Sequence, residues 1–283
     1  MCWSSETGLP KGNHEIPDGR MPKREEVESV MMKISVISAV LNGARTIRDC
    51  MESVKRQTHP AEHIVVDGGS ADGTLDIVGE YANGSCNVFS GPDKGIYDAM
   101  NKGFCLASGD IVGCLNADDM LAHDDVLRKI VAVFADPSVD VCYGDLVYVD
   151  PGDASKIIRY WHSGLITEDS FRMGLMPAHP TFYIRRTSLE RVGLFDLNLT
   201  SANDFDFTLR CICVQRLKAE YLPEILVKMR TGGTSNRSMR SVIRQNRAIF
   251  QILHMHGMMP HPLYLLGKFQ SKAAQFFKRP ACI

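Results

Sequence analysis

Short unbroken apolar runs alternate along the first half of the chain with stretches in which apolar side chains return every third or fourth position. Residues 34–40, ISVISAV, predict a strand buried on both faces. Asn42 and Gly43 predict the turn after it, and Ile47, Met51 and Val54 share one face of a helix. The unit then repeats. Residues 63–66 predict a second strand ending in Asp67, followed by the loop 68–73 and a helix carrying Leu75, Ile77, Val78 and Tyr81. Residues 86–90 predict a third strand, 96–107 a third helix and 111–115 a fourth strand. Strands that alternate with helices in this way predict a parallel α/β sheet.

Beyond Asp119 the order changes. A helix is predicted over 124–134 and a strand over 141–149, then Pro151 and Gly152 turn the chain into 156–161 as a hairpin would. Residues 181–184 predict a strand, 205–214 a helix, and 219–222 and 225–229 two further extended pieces, so the second half is mixed α/β. The segment 150–180 has no regular period beyond that hairpin.

At 283 residues and 45% hydrophobic, the chain can bury a full core. Residues 1–31 carry Pro, Gly, Ser and charges without a sustained period, and predict a disordered leader or an extended start; with no apolar core they do not read as a signal peptide. Nine cysteines are scattered with no CxxC pair, which argues against a zinc site or a disulfide framework and for reduced thiols in a cytoplasmic protein. No uninterrupted apolar run reaches the length of about 18 that a membrane span requires. The net charge of −1 conceals an asymmetry: residues 231–283 hold eight Lys and Arg and no Asp or Glu. Nucleic acid is a poor partner, because the acidic remainder would repel phosphate backbones.

Three predicted strand ends carry acid or amide groups: Asp67, Asp93 and the cluster Asn116, Asp118 and Asp119. One such end reads as a turn, since Asn and Asp bond their own backbone. Three on one edge of a parallel sheet read as a pocket. The loop DGGSADGT lacks both the GxGxxG and the GxxxxGK[ST] patterns, which disfavours dinucleotide and P-loop chemistry.

The ordered set ISVISAVLNGARTIRDCMESVKRQTHPAEHIVVDGGSADGT, GPDKGIYDAMNKGFCLASGDIVGCLNADD and NDFDFTLR resembles glycosyltransferase family 2, of the GT-A fold, over about residues 33–230. Within that family, DKGIYDAMNKG and LNADD are most similar to bacterial enzymes of exopolysaccharide, colanic-acid-like or O-antigen synthesis. The resemblance implies an α/β GT-A fold: a Rossmann-like, mostly parallel sheet, with a nucleotide-binding half at 32–120 and a mixed acceptor half at 121–230. Charge and apolar spacing, outside the resemblance, predict a basic amphipathic helical tail at 231–283. The resemblance also implies an inverting transfer from a nucleotide-diphospho-sugar to a glycan or lipid-linked acceptor.

Carried over residue by residue, it places Asp67 at the nucleotide base and Asp93, Lys94, Asn116 and Ala117 in the nucleotide-sugar pocket. Asp118 becomes the ligand of a divalent metal, Mg²⁺ or Mn²⁺. Asn116 stands where the family commonly has an acid; an amide still bonds ribose hydroxyls but adds no charge for the metal. Asp204 aligns with the base that takes the acceptor proton, Asp206 being the runner-up, and Asn203 stands where Glu is frequent. A plain helix cap is the bland alternative at 203–204. His179 falls on the acceptor side. Lys94, Arg185 and Arg186 are candidates to neutralise a diphosphate.

Two other classes remain open. A catalytically silent sugar-nucleotide-binding protein would account for the softened positions Asn116 and Asn203. A sugar-phosphate nucleotidyltransferase should show a Gly-rich loop with Arg and Lys after the first strand, where AVLNGARTIRDC stands instead. In the tail, Val242, Ile243, Ile249, Ile252 and Leu253 mix with Arg240, Arg244 and Arg247, and residues 263–279 repeat the mixture. This predicts either helices packed on the catalytic domain or peripheral docking on the anionic inner membrane face.

Overall fold

The computed structural model describes residues 32–82, 84–232 and 239–277. The expectation for 1–31 lies outside them. In chain order the elements are β1 (Ile34–Val40), α1 (Ile47–Lys55), β2 (Ala61–Asp67), α2 (Thr74–Gly79), β3 (Cys86–Ser90), α3 (Ile96–Leu106), β4 (Ile111–Cys114) and β5 (Met120–Leu121). There follow α4 (Val126–Val133), β6 (Val141–Val149), β7 (Ile157–Trp161), α5 (Glu168–Arg172), β8 (Tyr183–Arg185), α6 (Arg186–Val192), α7 (Asn203–Leu209), β9 (Ala219–Arg230), α8 (Met239–Met255) and α9 (Tyr264–Phe277).

One sheet runs β3-β2-β1-β4-β8-β6-β9-β5, with β7 paired to β6. β3, β2, β1 and β4 are mutually parallel; the apolar runs of β2, β1 and β4 are buried because both faces are covered, whereas β3 is the half-exposed edge strand. Successive β1 residues feed opposite cores: Val36 packs with Met51 of α1 and Ile130 of α4, whereas Ile37 packs with Met100 and Phe104 of α3. Gly103 permits the second contact, since a Cβ there would stand 2.3 Å from Ile37 Cγ2. The other half is mixed, as expected: β8 is antiparallel to β4 and β6, β7 forms the hairpin on β6, and β9 runs parallel to β6.

Several boundaries differ from the sequence reading. The two extended pieces at 219–229 form a single strand, β9, whose register against β6 shifts beside Gly144 and Pro223. Proline cannot donate to a ladder, so the strand bulges there instead of ending. The helix expected over 205–214 starts at Asn203 and widens into a π turn over Arg210–Val214. α5 and α6 were not expected, and α5 opens with a capping box in which Thr167 and Ser170 exchange bonds.

The C-terminal helices share a third core. Ala248, Ile249, Ile252 and Leu253 of α8 pack with Phe171, Phe205, Leu209 and Tyr264. Among the described residues no helix is long and apolar enough to cross a membrane. The seven described cysteines are free thiols, and burial pushes Cys50 up to about 12.

Candidate active site at the strand ends

The parallel register brings Val40, Asp67 and Ser90 to one edge, and Cys114 pairs with Ile37 just short of it. The chain leaving β4 therefore turns beside the ends of β1, β2 and β3, where an open α/β sheet forms its crevice.

Asp67 is buried at that edge. It accepts hydrogen bonds from the amides of Gly69 (3.0 Å) and Ser70 (3.1 Å) and from Ser90 Oγ (2.7 Å). Burial raises its pKa, but bonds from Ser70, Ser90 and the two amides outweigh this and hold it below its ordinary value. As placed, Asp67 shapes the DGGS loop, with its oxygens already engaged. Asp93, after β3, takes the amide of Gly95 at 2.8 Å and lies against Gly68, where a Cβ would come within 2.4 Å of its Oδ2. Lys94 is exposed at the mouth, its amide bonded to Asp98 Oδ2 at 3.0 Å.

After β4, Asn116, Ala117, Asp118 and Asp119 form a tight turn closed by the Asp119 amide on the Asn116 carbonyl, 3.0 Å. Asn116 Nδ2 donates to Asp119 Oδ2 at 2.8 Å, and the Arg230 amide to Asp119 Oδ1 at 3.3 Å. Asp119 is fully buried; burial first, then the neighbouring Asp118, push its carboxyl well above the usual range, against the pull of Asn116 and Arg230. This accounts for the amide at 116: a carboxylate there would face Asp119 with no hydrogen to give. The Arg230 guanidinium binds the Asp118 carbonyl at 3.0 Å and Asp49, and so clamps the turn from the end of β9. Sequence reasoning missed Arg230, which stands 112 residues away and matches no motif.

The half-buried Asp118 carboxylate receives no hydrogen bond among the described residues. Its chemistry fits a hard divalent cation, which takes oxygen ligands. Among the described residues no group of three or more acidic, His or Cys side chains could hold a metal alone. The chain therefore offers one or two carboxylates, and substrate phosphates and waters would complete the shell, as is usual for Mg²⁺.

A cleft of about 840 Å³ opens between the 94–98 segment that follows β3 and the C-terminal helices, and Asp204 lines it, whereas Asp67, Asp93 and the 116–119 turn lie outside its lining. Asp204 sits in the first turn of α7, behind Ala202, whose φ of 61° is left-handed. Such backbone costs an alanine about 1 kcal/mol, and here it swings the helix start toward the cleft. One Asp204 oxygen accepts the Phe205 amide at 2.9 Å. Tyr97, also in the cleft wall, is hydrogen-bonded to the Asp204 backbone; burial, then the Asp204 charge, push its hydroxyl pKa up. Tyr148 lies within the electrostatic reach of both Asp119 and Asp204, which ties the turn after β4 to α7.

The rival carboxylate is engaged elsewhere. Asp206 is buried, with Oδ2 on Arg210 Nε and Oδ1 on His256 Nε2, each 2.8 Å. Asn203 is also structural, its amide bonding the carbonyls of Asp196 (2.6 Å) and Leu199 (3.3 Å). His179 packs edge-on against Phe195 at 5.7 Å with both ring nitrogens buried and unpartnered. Burial lowers its pKa despite the charge of Asp204, so it is neutral. Arg185 and Arg186 do not reach the site. Arg185 pairs with Ile111 at the start of β4, the far end of the sheet, and binds the carbonyls of Val139 and Phe134; Arg186 binds that of Gly109.

Asp145, a further buried carboxylate, escaped the sequence reading. Asp145 of β6 accepts from Ser163 N (2.7 Å), Tyr221 OH (3.0 Å), His162 Nδ1 (3.1 Å) and Tyr160 OH, fixing His162 in the cleft wall. The wall opposite comes from α8 and α9, which contribute Arg244, Lys268 and Lys272. The basic tail is thus part of the cleft.

Residues 35–196 match the family model for glycosyl transferase family 2. A PGL/p-HBAD biosynthesis glycosyltransferase of Mycobacterium bovis (strain BCG) is 31% identical over 209 residues, covering 71% of this chain and 78% of that protein. In fold, the chain is similar to the mannosyltransferase PcManGT of Pyrobaculum calidifontis, solved with GDP-Man and Mn²⁺: TM-score 0.61, 21% identity, 85% of this chain and 69% of that one. It is also similar to S. aureus TarS 1–349 in complex with UDP: TM-score 0.58, 21% identity, 78% of this chain and 65% of that one. It spans 43% of the longer TarS chain.

Proposed function

From the premise that the chain belongs to glycosyltransferase family 2 and has the GT-A fold, we propose that it transfers a sugar from a nucleotide diphosphate to an acceptor hydroxyl with inversion. The observation that carries this reading is the cleft in which Asp204 is presented while Asp206 is locked in a buried ion pair. In this reading the acceptor O–H gives its proton to the Asp204 carboxylate as the oxygen bonds to the anomeric carbon. The bond from that carbon to the diphosphate oxygen breaks on the opposite face, and its electron pair leaves with the nucleoside diphosphate. A divalent cation held at Asp118, when bound, would neutralise charge growing on that leaving group. Asp67 and Asp93 hold the loops that frame the nucleotide, Lys94, Asn116 and Ala117 border its sugar-phosphate, and His179 backs the acceptor side. Orientation within the closed cleft and fixed dipoles supply most of the acceleration.

The mycobacterial relative named for PGL/p-HBAD biosynthesis supports a biosynthetic role, and we assign the acceptor to a glycan or lipid-linked glycan of a bacterial surface polysaccharide. Peripheral contact with an anionic membrane through α8 fits such an acceptor. On that helix Arg240, Ile243, Arg244 and Arg247 are exposed at helical spacing. The silent-binder alternative loses its motive, because Asn116 and Asn203 each have a local structural task. The deciding experiment incubates the full chain with UDP-, GDP- and dTDP-sugars and Mg²⁺ or Mn²⁺ and follows nucleoside diphosphate release. The anomeric configuration of any glycoside formed is read by NMR. Saturable donor binding without release, with or without acceptor, defeats the transfer reading; a retained anomer defeats inversion.

A further inference from the structure

The cleft wall made by α9 and β7 carries charge that the transfer chemistry does not use. Arg159 of β7 stacks its guanidinium over the Tyr148 ring at 3.7 Å. Lys268 and Lys272, one helical turn apart on α9, line the same cleft, as does Arg159. These cations crowd one another. Burial first and then Lys272 push the Lys268 pKa down to about 8, with Asp204 opposing; burial first and then Arg159 lower that of Lys272. Among the described residues neither lysine lies within ion-pair distance of a carboxylate. Lys268 Nζ donates instead to the neutral oxygens of Asn246 (2.7 Å) and Tyr264 (3.2 Å). An ammonium has three hydrogens, so one remains.

Like charges gathered in a partly dry cleft repel one another, and a bound anion relieves that repulsion. We propose that Arg159, Lys268 and Lys272 form a phosphate-binding site in this cleft, filled by a phosphate group of one of the two substrates. Its chemistry suits that ligand: ammonium groups bind phosphate as point charges, and a guanidinium presents a planar fork to it. Two of the three residues lie beyond the stretch 35–196 matched by the family model. Two sources could supply the phosphate. Arg159 stacks on Tyr148, which feels the charge of both Asp119 and Asp204, so a donor diphosphate is one source; Lys268 feels the charge of Asp204, so an acceptor bearing its own phosphate is the other. The inference rests on the transfer reading only for the owner of the phosphate.

Calorimetry on the full chain with inorganic pyrophosphate tests the site without turnover. Wild-type protein should bind it, and both Lys272→Glu and Lys268→Met should weaken it about tenfold or more, the loss of a charge-assisted hydrogen bond. Lys55→Glu, a charge-matched change on α1 outside the cleft, should leave binding unchanged. Lys272 is exposed, so Lys272→Glu keeps its fold and carries the test if Lys268→Met melts early. Repeating the titrations with UDP and GDP separates the sources. Parallel weakening assigns the phosphate to the donor; unchanged nucleotide affinity assigns it to the acceptor. No pyrophosphate binding by the wild type at millimolar concentration, or equal binding by all variants, overturns the site. Loss of transfer in Asp204→Asn with pyrophosphate binding intact leaves it standing, so the two readings fail separately.

Discussion

Replacing each acid of α7 by its amide should give opposite signatures. Asp204 is half-buried at the cleft, with one oxygen on the next amide and no cationic partner within ion-pair distance among the described residues. Asp204→Asn keeps that acceptor and the packing of Tyr97, so the melting temperature should hardly move. What it removes is the capacity to take a proton, which is worth about 10²–10⁴-fold in rate, or about 3–5 kcal/mol of barrier. Asp206 is only 4% exposed and pairs with Arg210 and with His256, which follows α8. Asp206→Asn leaves the part-buried Arg210 guanidinium without its counter-charge, and His256 keeps a bond only by switching tautomer to accept from the new amide. Breaking such a pair costs about 3 kcal/mol or more. In a domain of this size that lowers the melting temperature by about 6 °C or more. The assay pairs nucleoside diphosphate release at saturating donor and acceptor with thermal melts of both variants, and donor affinity is measured separately. Asp204→Asn should bind donor normally, melt normally and turn over at the background rate. If it turns over at near the wild-type rate while a normally melting Asp206→Asn is dead, the assignment of the base is wrong.

Three further outcomes are expected. Asp118→Ala should retain the fold, because that carboxylate makes no hydrogen bond among the described residues, but lose the Mg²⁺- or Mn²⁺-dependent increment of donor affinity seen by calorimetry; the same increment in the variant removes the metal role. His63 is buried against Ser38 Oγ at 3.0 Å, and burial holds its pKa down at about 4 against an ordinary 6.5. The unfolded chain therefore takes up the proton first, so this contribution is complete above pH 6.5 and falls by about 3 kcal/mol as the pH drops through 4. Urea unfolding at stepped pH should show that slope flattened in His63→Gln, and an unchanged slope refutes the cause. Finally, the full chain should co-sediment with anionic liposomes at low salt and be released by high salt, and Arg240→Glu with Arg247→Glu should weaken this, each basic residue contributing about 1 kcal/mol. Equal sedimentation of the double variant, or none by either protein, ends the docking idea. Point changes are the right probe, because a truncation would strip Ile252 and Leu253 from the core.

How far the site could be read from sequence follows from whether each part is made by neighbours in the chain. β1, β2 and β4 were legible because burial on both faces leaves apolar runs, and a run that ends in Asp67 or Asn116 announces its own loop. β9 was read as two pieces because Pro223 breaks the pattern locally, while the ladder to β6 that spans the break is a long-range fact. Arg230 was invisible for the same reason: its task is to clamp the Asp118 turn from 112 residues away. Asp204 and Asp206, two positions apart on one helix, point to different sides, and composition says nothing about which side is the cleft. His256 decides it, by arriving just after α8 to claim Asp206. The tail shows the same limit most sharply. Lys and Arg stems can cover apolar surface while their heads stay wet, so a mixture of basic and apolar residues predicts a membrane face and a packed helix equally well. Only the docking of Ile249, Ile252 and Tyr264 into the core beside α7 turns Lys268 and Lys272 inward, onto the cleft. The strand-end part of the site is therefore built by residues close in the chain and leaves motifs. The cleft around Asp204 is closed by segments distant in the chain, whose residues acquire their chemistry only from where they are packed.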